Sequence, residues 1–445
     1  MGLPNGPRLP IGSTERRPDP PMPLDLLTRL DPLRRVQCPY CFERFAAFEL
    51  HVKCDSPACE TDFGRQVEDP ILTRTYFGSG ADSMIRSPWW ADPRRDARRG
   101  LRRHLDWMVL PGRLDCPACG NATDCRLCPR CHQRLPDAAI SGRPGHITIF
   151  GPQSVGKTTY MTVVLHELDQ RFGPERGLLL EPIDEEVRRR YSQEYRDVTY
   201  GSAMQGIGVG QWGEVSRQAH MPTPPLEVNR RVLQPLVYRV KRRGASGAEP
   251  LLSFSDLAGE DWEMNFSVLR REAGHLIRKA RGLLLLIDPL RIPQVARDSR
   301  VRLTPKEAIA PPAEYREDLS KLAAFFDRTP VKVPLAICLN KLDRWGPLMA
   351  PGTALHEVAT SVPGELGRED SDRLIHEEVR AAMRRWDQLS FLEHLEIDFP
   401  RHRFFACSAL GDAAQEEEDS PQPLPTPLLV DRPLLWLLKQ QQLIR

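Results

Sequence analysis

One run, His146 to Thr159, restricts what this chain can fold into more than any other: HITIF followed by GPQSVGKTT. HITIF is mostly apolar and β-branched and reads as a buried strand. Gly151-Pro-Gln-Ser-Val-Gly156-Lys157-Thr158 has the phosphate-loop spacing, two glycines followed by Lys and a hydroxyl residue. The next residues, YMTVVLHELDQRF, carry apolar side chains at helical spacing. Glycines let backbone N–H groups turn inward around phosphate oxygens, and a helix N-terminus adds partial positive charge behind them. In such a loop Gly151, Ser154, Val155, Gly156, Lys157, Thr158 and Thr159 line the phosphates. Lys157 reaches the terminal ones, and the Thr158 hydroxyl can ligate Mg²⁺. A chance Gly-rich turn would not place strand, loop and helix in register.

The chain has 445 residues, enough for two or three domains, and a net charge of +2, too small to steer it globally to nucleic acid or membrane. Its longest apolar run, Leu283 to Ile287, is far short of the about 20 residues that cross a bilayer. No apolar signal segment opens the sequence. Residues 1–30, rich in Pro and Arg, read as a disordered tail.

Nine of the eleven cysteines precede residue 132, mostly in CxxC pairs. Beside a nucleotide motif and without an export signal, a reducing cytoplasmic setting favours metal ligation over disulfides. Cys38, Cys41, Cys54 and Cys59 are expected to form one zinc ribbon (31–64), and Cys116, Cys119, Cys128 and Cys131 a second (113–140), for two zinc ions. Cys125 could replace Cys131. His51 is expected on the surface, since four thiolates already fill the shell. Between the ribbons, 65–112 includes Trp89-Trp90 and RRDARRGLRRH, whose simpler reading is a solvated helix face. A phosphate-backbone patch is the rival reading, and nucleic acid is not the favoured partner because no aromatic interleaving accompanies the run.

From SGRPG (141–145) onward, apolar strands alternate with helical patterns, which predicts an α/β domain over 143–445 with a mainly parallel sheet and flanking helices. VLQPLVYRV and LLSFSDL flank the polar KRRGASGAE as a hairpin. GLLLLIDPL, VPLAICLN and HRFFACSAL are later strands, and VDRPLLWLLKQQQLI is a closing amphipathic helix. Cys338 and Cys407 are expected as small buried residues, Asp288 as a strand cap, and the closing leucines with Trp436 as packing.

Three further motifs each follow an apolar strand. Asp256-Leu-Ala-Gly259 offers a carboxylate for Mg²⁺ and a backbone N–H for a γ-phosphate. Asn340-Lys341-Leu342-Asp343 offers a carboxylate that can accept from guanine N1–H and the 2-amino group, donors that adenine lacks. Ser408-Ala409-Leu410 offers a backbone N–H for guanine O6.

GPQSVGKT, DLAG, NKLD and SAL, in this order, resemble the translation-factor-related, broadly Ras-like class of P-loop GTPases (TRAFAC class). Cysteine ribbons ahead of such a domain, with DLAGE and LLLLIDP, look like the bacterial double-GTPase family, predicted to act in GTPase-centred conflict systems. The resemblance implies a GTP-hydrolysing switch. Gly151, Gly156, Lys157 and Thr158 would bind phosphates and Mg²⁺; Asp256 and Gly259 would sense the γ-phosphate; Asn340, Lys341 and Asp343 would hold the base. Thr223, with Thr199 as alternative, would be the switch threonine. Glu260 stands where many relatives carry a water-orienting Gln. An ionised carboxylate cannot donate, which implies slow hydrolysis without a partner. The rival reading is a zinc-ribbon adaptor for protein or nucleic acid whose G domain holds nucleotide without turning it over; NKLD disfavours an ATPase. The effector is not named by the sequence.

Overall fold

The structure is a computed structural model that describes residues 35–77, 84–92, 114–123, 125–141, 144–193, 235–244, 249–257, 274–298, 314–326, 329–360, 369–411 and 425–444, with seven isolated positions between them. The tail, the basic run 94–104, Thr199, Thr223, Gly259 and Glu260 lie outside the described residues.

Seven strands form the main sheet: β1 (Pro144–Phe150), β2 (Leu178–Pro182), β3 (Leu236–Arg242), β4 (Leu251–Asp256), β5 (Gly282–Ile287), β6 (Leu335–Leu339) and β7 (His402–Ala406). Their order is β2-β3-β4-β1-β5-β6-β7. β4, β1, β5, β6 and β7 run parallel, and β2 and β3 extend that sheet by antiparallel pairing. The β3–β4 hairpin, the three later strands and the mixed α/β class thus match the expectations from sequence.

The near-continuous apolar strands follow from burial on both faces. Leu283, Leu285 and Ile287 point into one core, with Tyr315, Leu319 and Leu322 of helix α2 (Tyr315–Ala323), Val379 and Met383 of α3 (Glu369–Arg385) and Leu392 of α4 (Leu389–Asp398). Leu284 and Leu286 point into the other, with Tyr160 and Val164 of α1 (Lys157–Glu167) and Leu434 and Leu438 of α5 (Asp431–Gln440). Cys338 and Cys407 are buried in this second core, and Trp436 packs on Phe405 with ring centroids 5.8 Å apart.

The cysteine-rich region before β1 is built from very short strands. His51–Lys53 lies between Trp90–Ala91 and Cys125–Leu127, antiparallel to both. Arg35–Gln37 pairs with Arg44–Ala46. Val36, Phe45, Leu135 and Ile140 pack directly on Val237 of β3 and Leu251 of β4. No helix among the described residues is long and apolar enough to cross a membrane.

Candidate nucleotide and metal sites

Parallel strands leave their carboxyl ends on one edge, where the backbone turns into loops and helix N-termini. That edge is where ligands bind in open α/β sheets. The loop after β1, the end of β4 at Asp256, the loop after β6 and the loop after β7 all emerge there. The phosphate loop, the Asp256 end of β4 and the loops that carry NKLD and SAL, far apart in sequence, therefore converge.

The phosphate loop holds three left-handed residues, Gly151 (φ 146), Ser154 (φ 64) and Gly156 (φ 86). Two of them must be glycine for a second reason. A Cβ at Gly151 would stand 2.5 Å from the Leu286 carbonyl oxygen, and one at Gly156 would stand 2.7 Å from Asn340 Nδ2. Lys157 is buried, and its Nζ donates to the carbonyls of Gly151 (3.0 Å) and Pro152 (2.8 Å). Thr158 and Thr159 open α1 behind the loop.

The loop after β6 is tied to its neighbours. Asn340 Nδ2 donates to the Val155 carbonyl at 2.9 Å, joining the base motif to the phosphate loop. Lys341 takes a left-handed backbone (φ 59), and its Nζ donates to Asp288 Oδ2 at 2.7 Å. Asp288 also caps the turn after β5, as Oδ1 accepts from Leu290 N–H at 3.0 Å. Asp343 is buried and accepts the Ser408 hydroxyl, and Ser408 Oγ in turn accepts from Gly411 N–H at 2.9 Å. Leu342 N–H donates to the Cys407 carbonyl at 2.9 Å, locking the two loops together.

The eight cysteines expected to bind metal do form two four-thiol clusters, but they exchange partners. One cluster is Cys38, Cys41, Cys128 and Cys131, and the other is Cys54, Cys59, Cys116 and Cys119. The two sequence-local ribbons are thereby corrected: each site takes one pair from each. Antiparallel pairing of His51–Lys53 with Cys125–Leu127 is the cause. It sends Cys128 back toward the 38–41 turn and sets the 116–119 turn beside Cys54. Sulfurs stand 3.8 Å apart for Cys38–Cys131, 3.7 Å for Cys41–Cys128, 3.7 Å for Cys54–Cys119 and 3.8 Å for Cys59–Cys116. Four thiolates at the usual Zn–S distance of about 2.3 Å define a tetrahedron with edges of about 3.8 Å, so both clusters fit Zn²⁺. Cys125 belongs to neither cluster.

Each cluster has a readily ionised thiol. Thiol hydrogen bonds, first from Cys128, hold Cys41 far down, while burial pushes Cys38 far up. In the other cluster the Asn121 N–H draws Cys119 down to about 6, and burial lifts Cys54 to about 11.

Sequence reasoning missed a buried polar chain between the clusters. Asp69 Oδ2 lies 2.8 Å from His132 Nδ1, and His132 Nε2 lies 2.7 Å from His51 Nδ1. His51 Nε2 faces Asp92 at 3.7 Å. His51 is thus buried (4% exposed), not on the surface, although it ligates neither cluster. Nothing in the spacing of Asp69, His51 and His132 signals this chain.

No protein-family model matches this sequence. A protein of Mycolicibacterium smegmatis (strain ATCC 700084 / mc(2)155), provisionally named ESX-1 scaffolding and assembly protein SaeC, is 25% identical over 376 aligned residues, an alignment that covers 79% of this chain and 86% of that one. Among solved structures, the GTP-bound Ski7 GTPase-like domain of S. cerevisiae aligns with a TM-score of 0.31 and 12% identity over 68% of this chain and 52% of its own. Methanosarcina barkeri Roco2 RocCORdC bound to GDP gives 0.24 and 12% over 67% and 50%. Sup35 complexed with GMPPNP gives 0.23 and 11% over 62% and 40%. The chain spans about half the length of these structures or less. At such scores these alignments carry no argument about the fold or role of any residue. The narrower likeness to double-GTPases rests on the sequence alone.

Proposed function

We propose that this chain is a Mg²⁺-dependent guanine-nucleotide switch with GTPase activity, built together with a two-zinc module. The observation that carries the reading is the meeting of the phosphate loop, the Asp256 end of β4 and the NKLD and SAL loops on one sheet edge, with Asn340 bonded to the Val155 carbonyl at 2.9 Å and Asp343 bonded to Ser408. A chance NKLD turn on the surface would have no reason to hold a phosphate loop. In this reading Lys157 leaves the loop carbonyls for the terminal phosphates, and Thr158 with Asp256 supplies oxygens for Mg²⁺. Asp343, acceptor only, selects guanine, and the Ser408–Ala409 backbone faces its O6. Thr223, Gly259 and Glu260 act as the γ-phosphate-sensing segments. Ordering of those segments by GTP is the switch.

The likeness to a protein named for ESX-1 scaffolding and assembly supports an assembly-linked role, with a protein effector as partner. The conflict-system setting is the alternative that the sequence resemblance offers. Glu260, in place of a water-orienting Gln, favours a second reading in which nucleotide is held with little turnover. Single-turnover hydrolysis by the purified protein separates the two.

Competition of GTP, XTP and ATP against a labelled nucleotide tests the site. Lys157→Ala should abolish binding or hydrolysis. Asp343→Asn turns one acceptor into a donor, matching the xanthine carbonyl. A hydrogen bond to a charged group is worth roughly 1.5–3 kcal/mol, so GTP affinity should fall more than tenfold while XTP gains. An unchanged preference for GTP over XTP in that variant, or ATP competing equally against the parent, would reduce the site to an unspecified phosphate-binding loop.

A further inference from the structure

A second cation grips the phosphate loop. Arg291 Nη1 donates to the Gln153 carbonyl at 3.1 Å. Lys157 already holds the carbonyls of Gly151 and Pro152, so three consecutive carbonyls of the loop are taken by two cations. Arg291 is the last residue of the turn Pro289–Arg291 that follows β5. That turn is rigidly anchored. Asp288 caps it, the Tyr315 hydroxyl bonds the Asp288 N–H at 3.0 Å and carbonyl at 2.7 Å, and Lys341 of the base motif holds the Asp288 carboxylate. Pro289 and Pro293 flank the arginine and restrict the backbone on both sides. The anchored segment leaves the long guanidinium side chain as the part that can move.

We infer that Arg291 is a nucleotide-contacting residue that recognises the terminal phosphate, supplying from within the chain a charge that other phosphate sites take from a partner. This rests on the reading of the edge as a guanine-nucleotide site. Gln153 is the third residue of the loop, directly after the two whose carbonyls Lys157 holds, so both cations sit over the same stretch. A guanidinium leaving a neutral carbonyl for a phosphate oxygen exchanges a neutral acceptor for an ionised one, and charge-assisted bonds of that kind are about twice as strong. GDP, one phosphate shorter, would leave Arg291 on the carbonyl. Arg291 would thereby set the preference for GTP over GDP, a property that neither the phosphate-loop spacing nor NKLD determines.

The test uses the full-length protein with Mg²⁺ and compares equilibrium binding of a non-hydrolysable GTP analogue with binding of GDP. Arg291→Ala should weaken the analogue at least tenfold and leave GDP within about twofold. Arg291→Lys, which keeps the charge but loses the planar fork, should fall between. Thermal melting of each variant confirms that it is folded, and Arg291→Gln supplies a third side chain of similar length should alanine unfold the turn. Equal weakening of both nucleotides would mean that Arg291 only shapes the loop and would overturn the inference, as would no change in either. If the parent binds neither nucleotide, the guanine-nucleotide reading falls with it; if the parent binds both and the variants match it, only the role of Arg291 falls.

Discussion

The two cysteine clusters have the same ligands and the same sulfur spacing, yet they are set in the protein very differently. The inner cluster (Cys38, Cys41, Cys128, Cys131) lies in a continuous apolar core with Val36, Phe45, Leu135 and Ile140, and that core includes Val237 and Leu251 of the main sheet. Among the described residues, the outer cluster (Cys54, Cys59, Cys116, Cys119) has, apart from its own cysteines, only Trp89 packed against it. Their turns differ in a matching way. In each CPxC turn the residue after the second cysteine is left-handed: Gly120 (φ 73) in the outer cluster, but Phe42 (φ 57) and His132 (φ 55) in the inner one. A left-handed conformation costs a non-glycine residue roughly 1–2 kcal/mol. At Gly120 an added Cβ would meet nothing within 4 Å, so no side chain is needed there. Phe42 and His132 carry the cost because their side chains are used. Phe42 enters the core of the α/β domain and stacks on His146 at the base of β1, with centroids 3.5 Å apart; His132 joins the buried chain to Asp69 and His51. The inner site is therefore a strut of the α/β domain, and the outer site a local staple.

Metal loss should separate the two most strongly. Cys128→Ser and Cys116→Ser should each lower zinc content from two ions to one, but only Cys128→Ser should unfold the sheet. Structural Zn²⁺ is worth on the order of 10 kcal/mol in small zinc peptides, comparable to the whole stability of a domain. Cys128→Ser is thus expected to abolish the cooperative melt and nucleotide binding, while Cys116→Ser keeps both. Equal melting of the two variants would remove the distinction between strut and staple.

Phe42→Ala probes the strut without touching a ligand. Deleting a buried Phe costs about 3–5 kcal/mol, and zinc content should stay at two ions. Phe42→Gly leaves the same cavity but relieves the left-handed strain, so it should be less destabilising than alanine by about 1 kcal/mol. Chemical denaturation of the three proteins measures both differences. If glycine is no better than alanine, the strain at position 42 is not a real cost.

The same contrast explains what could be read in the sequence. The strand positions, and the turns that carry GPQSVGKT and NKLD, were legible because each is local: glycine spacing, a strand of five or six apolar residues, a polar turn. Six of the eight cysteines were legible from the CPxC turns for the same reason, and Cys54 and Cys59 from their closeness in the chain. Their partners were not, because the pairing is decided by His51–Lys53 and Cys125–Leu127, strands of three residues with no periodicity to detect. No motif along the chain singles out Phe42 or Arg291. Their roles arise from contacts across more than a hundred residues, which no window along the chain contains.

An effect smaller than the loss of Phe42 concerns acid and sits where the strut meets β1. His146 is fully buried beneath Phe42. Its Nδ1 lies 3.2 Å from the Ser253 carbonyl, and its Nε2 lies 3.1 Å from the Leu276 carbonyl and 3.0 Å from the Thr148 hydroxyl. Burial draws its pKa down to about 3, the two carbonyls oppose that pull, and His275 nearby adds to it. An unfolded histidine titrates near 6.5. Between these values the unfolded chain holds one proton more than the folded one, so stability is full above pH 6.5 and falls as pH drops toward 3. From pH 7 to pH 5 the loss from this residue should be about 2 kcal/mol. His146→Gln, which cannot be protonated, should lower stability at pH 7 but remove that part of the slope. Proton competition for the cysteine ligands acts on both proteins alike and cancels in the difference. Urea denaturation of parent and variant at pH 7, 6 and 5 measures it. Parallel curves would mean that the histidine under Phe42 gains its proton without opening the junction, and that the strut gives way to acid elsewhere, at the metal ligands themselves.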